Sequence, residues 1–447
     1  MDLSPHAQTV ARLLDGRQLD GYEIMVSQSR DLSVEAKGGR LDAFRCAEPF
    51  GVAVRVRQGA GLGFSFSTTL DPAALARMVD GAIVAARMQT PDPFHLLPPA
   101  ASAPYPALPD LYDPTLAATS EQQKIERVLE LERLVLAQDP RVKRVRKCSY
   151  GESLYQIAIC NSSGLSASYQ GSYLTMSVSA VAESNGNAQI GWDFGFSHRA
   201  SGVAPSLIAE GACRKATSLL GARSLPTMRC PVVLTNQVAA QMLEVLSGSF
   251  LAENVHKGKS LFAGRTGERL FSELVRIRDN GVLADGMGSA PCDGEGVPQQ
   301  DTPLVTDGVL KGFLYDAYWG NRLGAASTGN AVRSGVKGPP RLGVHNLHIE
   351  PGESTPETLT AGIGRGVLIT EVMGMHTANA ISGDFSVGAA GLYLEGGEVV
   401  HPVKGVAIAG NLLDLFAKVE LVADDLRFFG SAGSPALKIG ELDVSGS

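Results

Sequence analysis

The sequence predicts an α+β protein: an N-terminal antiparallel sheet with helices packed on it, then a mainly antiparallel, barrel-like or sandwich-like C-terminal domain. Three observations carry this. Short β-type runs occupy residues 22–67 before any long helical stretch, so the strand–helix alternation of a parallel α/β protein is missing. Two amphipathic segments, after Asp71 and after Ser120, are long enough to cover a sheet face. Beyond residue 265 the chain is rich in glycine and in short apolar runs such as Val367-Leu368-Ile369-Thr370 and Gly391-Leu392-Tyr393-Leu394, which suits a closed or stacked sheet.

The elements follow in order. Val10, Leu13 and Leu14, after Pro5, fall at helical spacing and predict a short first helix. Strands are expected at Tyr22–Gln28, Ser33–Lys37 and Gly51–Arg57, with Gly59 and Gly61 turning the chain into Gly63–Ser67. Asp71 is placed to cap the next helix, Pro72 suits its first turn, and Leu75, Met78, Val79, Ala82, Ile83 and Ala86 form one apolar stripe. Prolines crowd between Pro91 and Pro114, including Pro98-Pro99 and Pro104-Tyr105-Pro106, and predict an extended surface connection. Ser120, with Gln123 three residues on, is a capping-box signature for a helix carrying Ile125, Val128, Leu129 and Val135. From Val142 to Ser179, alternating residues between Gly151, Gly164 and Gly171 predict a β-meander, and Val203–Leu220 returns to helix. Ser224-Leu225-Pro226-Thr227 is the expected boundary, dividing the chain into residues 1–224 and 225–447. The strand Pro231–Leu234 and the helix Gln237–Leu246 open the second domain.

Composition excludes several functions. With 447 residues there is material for two or three domains and an ample core. Apolar residues make up 44 % and charged residues 19 %, and no apolar run approaches the roughly 20 residues that cross a bilayer, so neither a membrane protein nor a disordered one is expected. The first residues show no basic region followed by an apolar segment, which predicts a cytoplasmic protein. Six cysteines are scattered without a Cys-x-x-Cys pair, so free thiols are expected rather than disulfides or a structural zinc site. A net charge of −7 argues against nucleic acid as a partner. The basic cluster Arg141, Lys143, Arg144, Arg146 and Lys147 is interleaved with Val142 and Val145 and reads as a solvated strand face. No phosphate-binding loop and no Gly-x-Ser-x-Gly elbow occurs.

Chemistry is suggested at Leu243-Glu244-Val245-Leu246-Ser247-Gly248. In zinc peptidases of the His-Glu-x-x-His or His-Glu-x-x-x-His kind, two imidazoles from one helix hold the metal and the glutamate acts as general base toward the bound water. Here the glutamate remains, but leucine and glycine occupy the ligand positions. The surrounding residues resemble a known family. Pro231-Val232-Val233-Leu234, the helix after it, and Ala252-Glu253-Asn254-Val255-His256-Lys257-Gly258-Lys259-Ser260-Leu261-Phe262 resemble the central block of the TldD/PmbA family, also called modulators of DNA gyrase. Pro291–Val297, Asp307–Leu310, Ser327–Asn330, Ser382–Ser386 and Ile408–Leu412 fall in that family's order, as do Gly51–Val56 and Gly63–Ser67 near the start.

The resemblance implies more. One branch of the family carries the His-Glu-x-x-x-His helix and a cysteine near the C-terminus as a further ligand; the PmbA or TldE branch lacks them. Leu243 and Gly248 fall on the histidine positions, Glu244 on the glutamate, and Phe428–Gly433 on the cysteine region, which holds no cysteine. The expectation is therefore a non-catalytic, metal-free subunit of a cytoplasmic TldD/TldE-type zinc peptidase acting on small or unfolded polypeptides. Zinc would sit in the TldD-like partner, with peptide as substrate and a homodimer as the form of the isolated chain. Two alternatives stand beside it: a self-sufficient peptidase using His256, His376 or Glu244, and a client-binding regulator without proteolysis. Glu244 itself reads as a surface or capping residue, and His345 and His348 as strand or loop residues that do not share a metal. His256, His376, Ser382, Gly383 and Asp384 are candidates for touching peptide or partner, because a polar, glycine-flexed stretch in a β domain suits an extended chain added as a strand.

Overall fold

A computed structural model describes residues 3–446 and shows the expected α+β architecture. The N-terminal half is built on one antiparallel seven-stranded sheet. Its spine is a single strand, Gly21–Lys37, and not the two shorter strands expected from sequence. One edge of this strand pairs with Phe50–Gln58 along its first half and with Arg40–Ala47 along its second; the other edge pairs with Val142–Asn161. The polar run Ser27 to Asp31 hid this continuity. The strand Arg40–Ala47, mostly exposed, was not expected from the sequence.

The meander also runs longer than its glycines suggested. Strands Val142–Asn161, Ser166–Ser184 and Asn187–Ser197 follow one another, and of the glycines at 151, 164 and 171 only Gly164 lies in a turn. Gly171 sits inside a strand because the Tyr155 ring lies against it; a Cβ there would fall 2.3 Å from the ring. Four helices cover one face. Ser4–Leu14 and Pro72–Met88 pack over Ile24, Val26, Val52 and Val54, while Glu121–Gln138 and Pro205–Ser218 pack over Val34, Cys148, Met176 and Val178. Both expected caps form: Asp71 accepts the Ala74 N–H at 2.9 Å, and Ser120 and Gln123 make a reciprocal capping box.

In the C-terminal half, five strands close into a barrel. Met228–Leu234, Arg365–Met373, Asp384–Glu395, Glu398–Asn411 and Leu437–Ser445 form the ring, completed by the pairing of Ala407–Ala409 with Asp443–Ser445. One pair, Met228–Leu234 with Arg365–Met373, is parallel. A six-stranded sheet that includes Ile277–Asn280, Leu347–Ile349 and Ala432–Ser434 stands beside the barrel. The helix Asn236–Ser247 lies in the core they share, burying Val238, Ala239, Met242, Leu243 and Leu246. Its apolar positions recur at three and four residues, so one face meets the barrel strands and the 427–434 hairpin.

The halves meet at a buried ionic seam. Glu23 pairs with Arg55 and Arg333, and Arg55 also reaches Glu295 at 2.7 Å. Farther along, Arg427 binds Asp193 at 2.6 Å, and His198 Nε2 lies 3.0 Å from the Gly286 carbonyl. The proline-rich segment runs over the surface as expected, and it also contacts the C-terminal half. Tyr318 and Arg322 bind Asp92, and the Tyr105 hydroxyl donates to the Gly296 carbonyl at 2.9 Å. No helix among the described residues is long and apolar enough to cross a membrane.

Candidate functional site

The helix Asn236–Ser247 places its two candidate ligand positions very differently. Leu243 is fully buried among the core side chains, and Gly248 ends the helix with its carbonyl accepting the Asn254 amide at 2.8 Å. Glu244, one residue from Leu243, points to solvent. Phe428–Gly433 forms a tight hairpin whose Gly433 is covered by the Phe428 ring, and it offers no thiol. Zinc does not fit this donor set, since Leu243, Gly248 and the Phe428–Gly433 hairpin supply no ligand and Glu244 would be a lone carboxylate. Among the described residues, no group of three or more His, Cys, Asp or Glu side chains is arranged to hold a metal ion.

The remaining sequence candidates fall in two places. Ser382, Gly383 and Asp384 form one turn: the Ser382 hydroxyl donates to Asp384 at 2.8 Å, Asn411 donates to Asp384 at 3.0 Å, and Gly383 adopts a φ of +81°. These two donors hold the Asp384 carboxyl below its ordinary range. Leu261 lies beside Gly383 and is tied by its N–H to the Ser249 hydroxyl, so this turn neighbours the end of the helix Asn236–Ser247. His376 is exposed in the short turn Met375–Thr377 that leads into it. The strand beginning at Asp384 runs past its neighbour, because pairing with Arg365–Met373 stops at Met373 and Gly388. One edge of Phe385–Val387 therefore carries no ladder partner among the described residues.

His256 is elsewhere. It closes the helix Ala252–His256 and lines a cleft of about 960 Å³ at the seam between the halves. Arg55, Leu62 and His95 form one wall of the cleft. Glu253, Lys257, Glu295, Asp316, Tyr318, Trp319, Arg322 and the 339–342 loop form the rest. Asp316 caps the helix Ala317–Leu323 by accepting the Trp319 N–H at 2.8 Å. Burial, and then the nearby Glu295, push its carboxyl up to about 6. Sequence reasoning missed this cleft because its walls come from both halves; the adjacent Tyr318-Trp319 pair was the available signal. His345 and His348 are buried and bound to separate backbone groups, His345 to the Gly329 carbonyl at 2.7 Å and His348 to the Asn346 carbonyl at 2.9 Å.

Comparison with known proteins places this architecture. Three consecutive domains described for PmbA/TldA metallopeptidases match the chain: domain 1 over residues 22–86, the central domain over 114–220, and the C-terminal domain over 227–446. The chain belongs to the PmbA/TldD family. It is 28 % identical to the metalloprotease PmbA of Escherichia coli O157:H7 over 446 residues, covering 99 % of this chain and 96 % of that one. A TldD homologue from Haemophilus influenzae is 27 % identical, covering 98 % of this chain and 96 % of that one. Among solved structures, a Thermotoga maritima protein described as a modulator of a DNA gyrase superposes with a TM-score of 0.90 at 27 % identity, covering 99 % of this chain and all of that one. TldE from Thermococcus kodakarensis shares the fold, with a TM-score of 0.90 at 23 % identity and the same coverage. PmbA-type and TldD-type relatives of this family match almost equally well, so overall identity does not assign the branch. The residues at the ligand positions must do so.

Proposed function

We propose that this chain is the metal-free subunit of a hetero-oligomeric zinc metallopeptidase, in which a TldD-like partner supplies zinc, water and general base. One observation carries the reading: Leu243, at a position where the metal-binding branch has histidine, is a fully buried core side chain. An imidazole there would have to leave the apolar cluster before it could meet a metal. In this arrangement the chain closes one side of the chamber and holds peptide backbone. The unpaired edge at Phe385–Val387, next to the Ser382–Asp384 turn, supports strand addition by an extended peptide.

The test is reconstitution. The purified chain, a zinc-bearing homologue and their mixture are compared for metal content and for cleavage of an unfolded polypeptide. Cleavage by the mixture, with none by this chain alone, is expected. Stoichiometric zinc and chelator-sensitive cleavage in this chain alone would overturn the assignment.

A further inference from the structure

The cleft at the seam has a charge inventory that does not close on itself. Among its charged lining residues, Arg55 is held by Glu23 and Glu295, Lys257 by Glu253, and Arg322 by Asp92. Asp316 and Arg341 are left without an ionic partner among the described residues. Asp316 is only 7 % exposed. Its Oδ1 accepts the Trp319 N–H, and no donor among the described residues reaches its Oδ2. A buried carboxylate without a counter-ion is costly, and the cost is relieved when a cation enters.

The walls say what kind of cation. Four rings run in an unbroken ladder along the cleft: His95 to Tyr318 at 4.6 Å, Tyr318 to Trp319 at 5.0 Å, and Trp319 to His256 at 5.4 Å between centroids. Such a wall takes an apolar group and also favours a cation over its faces; Lys257 Nζ already sits 5.8 Å from the Trp319 ring. A hydrated metal ion would leave this aromatic surface unused.

We propose that the cleft binds an organic ammonium joined to an apolar group, namely the free N-terminus of a peptide with an apolar first residue. Asp316 is its counter-ion, Tyr318 and Trp319 receive the side chain, and Arg341 at the rim faces the carbonyl groups that follow. That the amine is a peptide terminus rests on the peptide-handling reading above. The ammonium site itself needs no partner subunit.

The experiment uses the full chain. The sequence has two tryptophans, so Trp192→Phe leaves Trp319 as the only indole reporter. Phenylalaninamide at neutral pH is expected to change its fluorescence saturably, and N-acetylphenylalaninamide to bind at least about tenfold more weakly. Asp316→Asn, which keeps the helix cap, is expected to weaken phenylalaninamide by a similar factor. N-acetyllysinamide separates a peptide terminus from a lysine side chain: a stronger response to it overturns the N-terminal assignment. Equal responses to the free and acetylated phenylalanine probes, or an unchanged response in the Asp316→Asn protein, overturn the site. Because no zinc-bearing subunit is present, such a failure leaves the reconstitution result untouched.

Discussion

Asp316→Asn should make the protein more stable, and only above mildly acidic pH. The carboxyl is raised to about 6 by burial and by Glu295, with Glu253 adding to the repulsion and Arg55 and the Trp319 N–H opposing it. The folded chain therefore holds the proton more tightly than the unfolded chain, whose aspartate titrates near its ordinary 3.8. Between these values, raising the pH removes stability, and above about 6 the loss is complete. The interval corresponds to at most about 3 kcal/mol. Asparagine retains the cap and removes the charge, so the variant escapes this loss. For a domain of this size the gain amounts to a melting temperature higher by several degrees, up to about 10 °C. Thermal unfolding of both proteins from about pH 4 to pH 8 measures it. The curves should meet at the acidic end and separate through the interval. A variant less stable than the parent at neutral pH, or a constant offset across the range, would refute the account of Asp316 as a buried acid whose charge is only partly compensated.

Two further perturbations test the core and the seam. Leu243→Ala removes a fully buried side chain from the cluster around the helix Asn236–Ser247 and should cost about 2–5 kcal/mol in denaturant unfolding; a loss well under that range would mean the position is not core. Arg333→Met strips one cation from Glu23 and should cost about 3–5 kcal/mol, with part of the loss recovered when Glu23→Gln is added, whereas additive losses would contradict a shared ionic seam.

How much was legible depended on how local the determinant was. The caps at Asp71 and Ser120 and the stripe from Leu75 to Ala86 could be read because three or four neighbouring residues define them. The strand Gly21–Lys37 could not be read whole, since its polar middle is stabilised by partners on both edges and not by its own apolar content. Likewise the glycines at 151 and 171 looked like turns, although cross-strand neighbours explain them: Gly151 faces Thr175, and Gly171 lies under Tyr155. At the site, Leu243 and Gly248 were visible because a motif fixes their spacing. The cleft was not, because Arg55, His95 and Asp316 converge only after the two halves dock.

That docking constrains how the cleft works. Its wall carries Arg55 and Glu295, one from each half, and Glu23 and Arg333 pair across the seam behind them, so any clamshell movement of one half against the other would pull opposite charges apart in a dry setting. Entry must therefore proceed through the existing mouth, past the 339–342 loop and the rings beside it. The molecule is built as a fixed socket: a visitor has to suit the opening it finds, and selection falls on shape and charge at the rim before anything inside is touched.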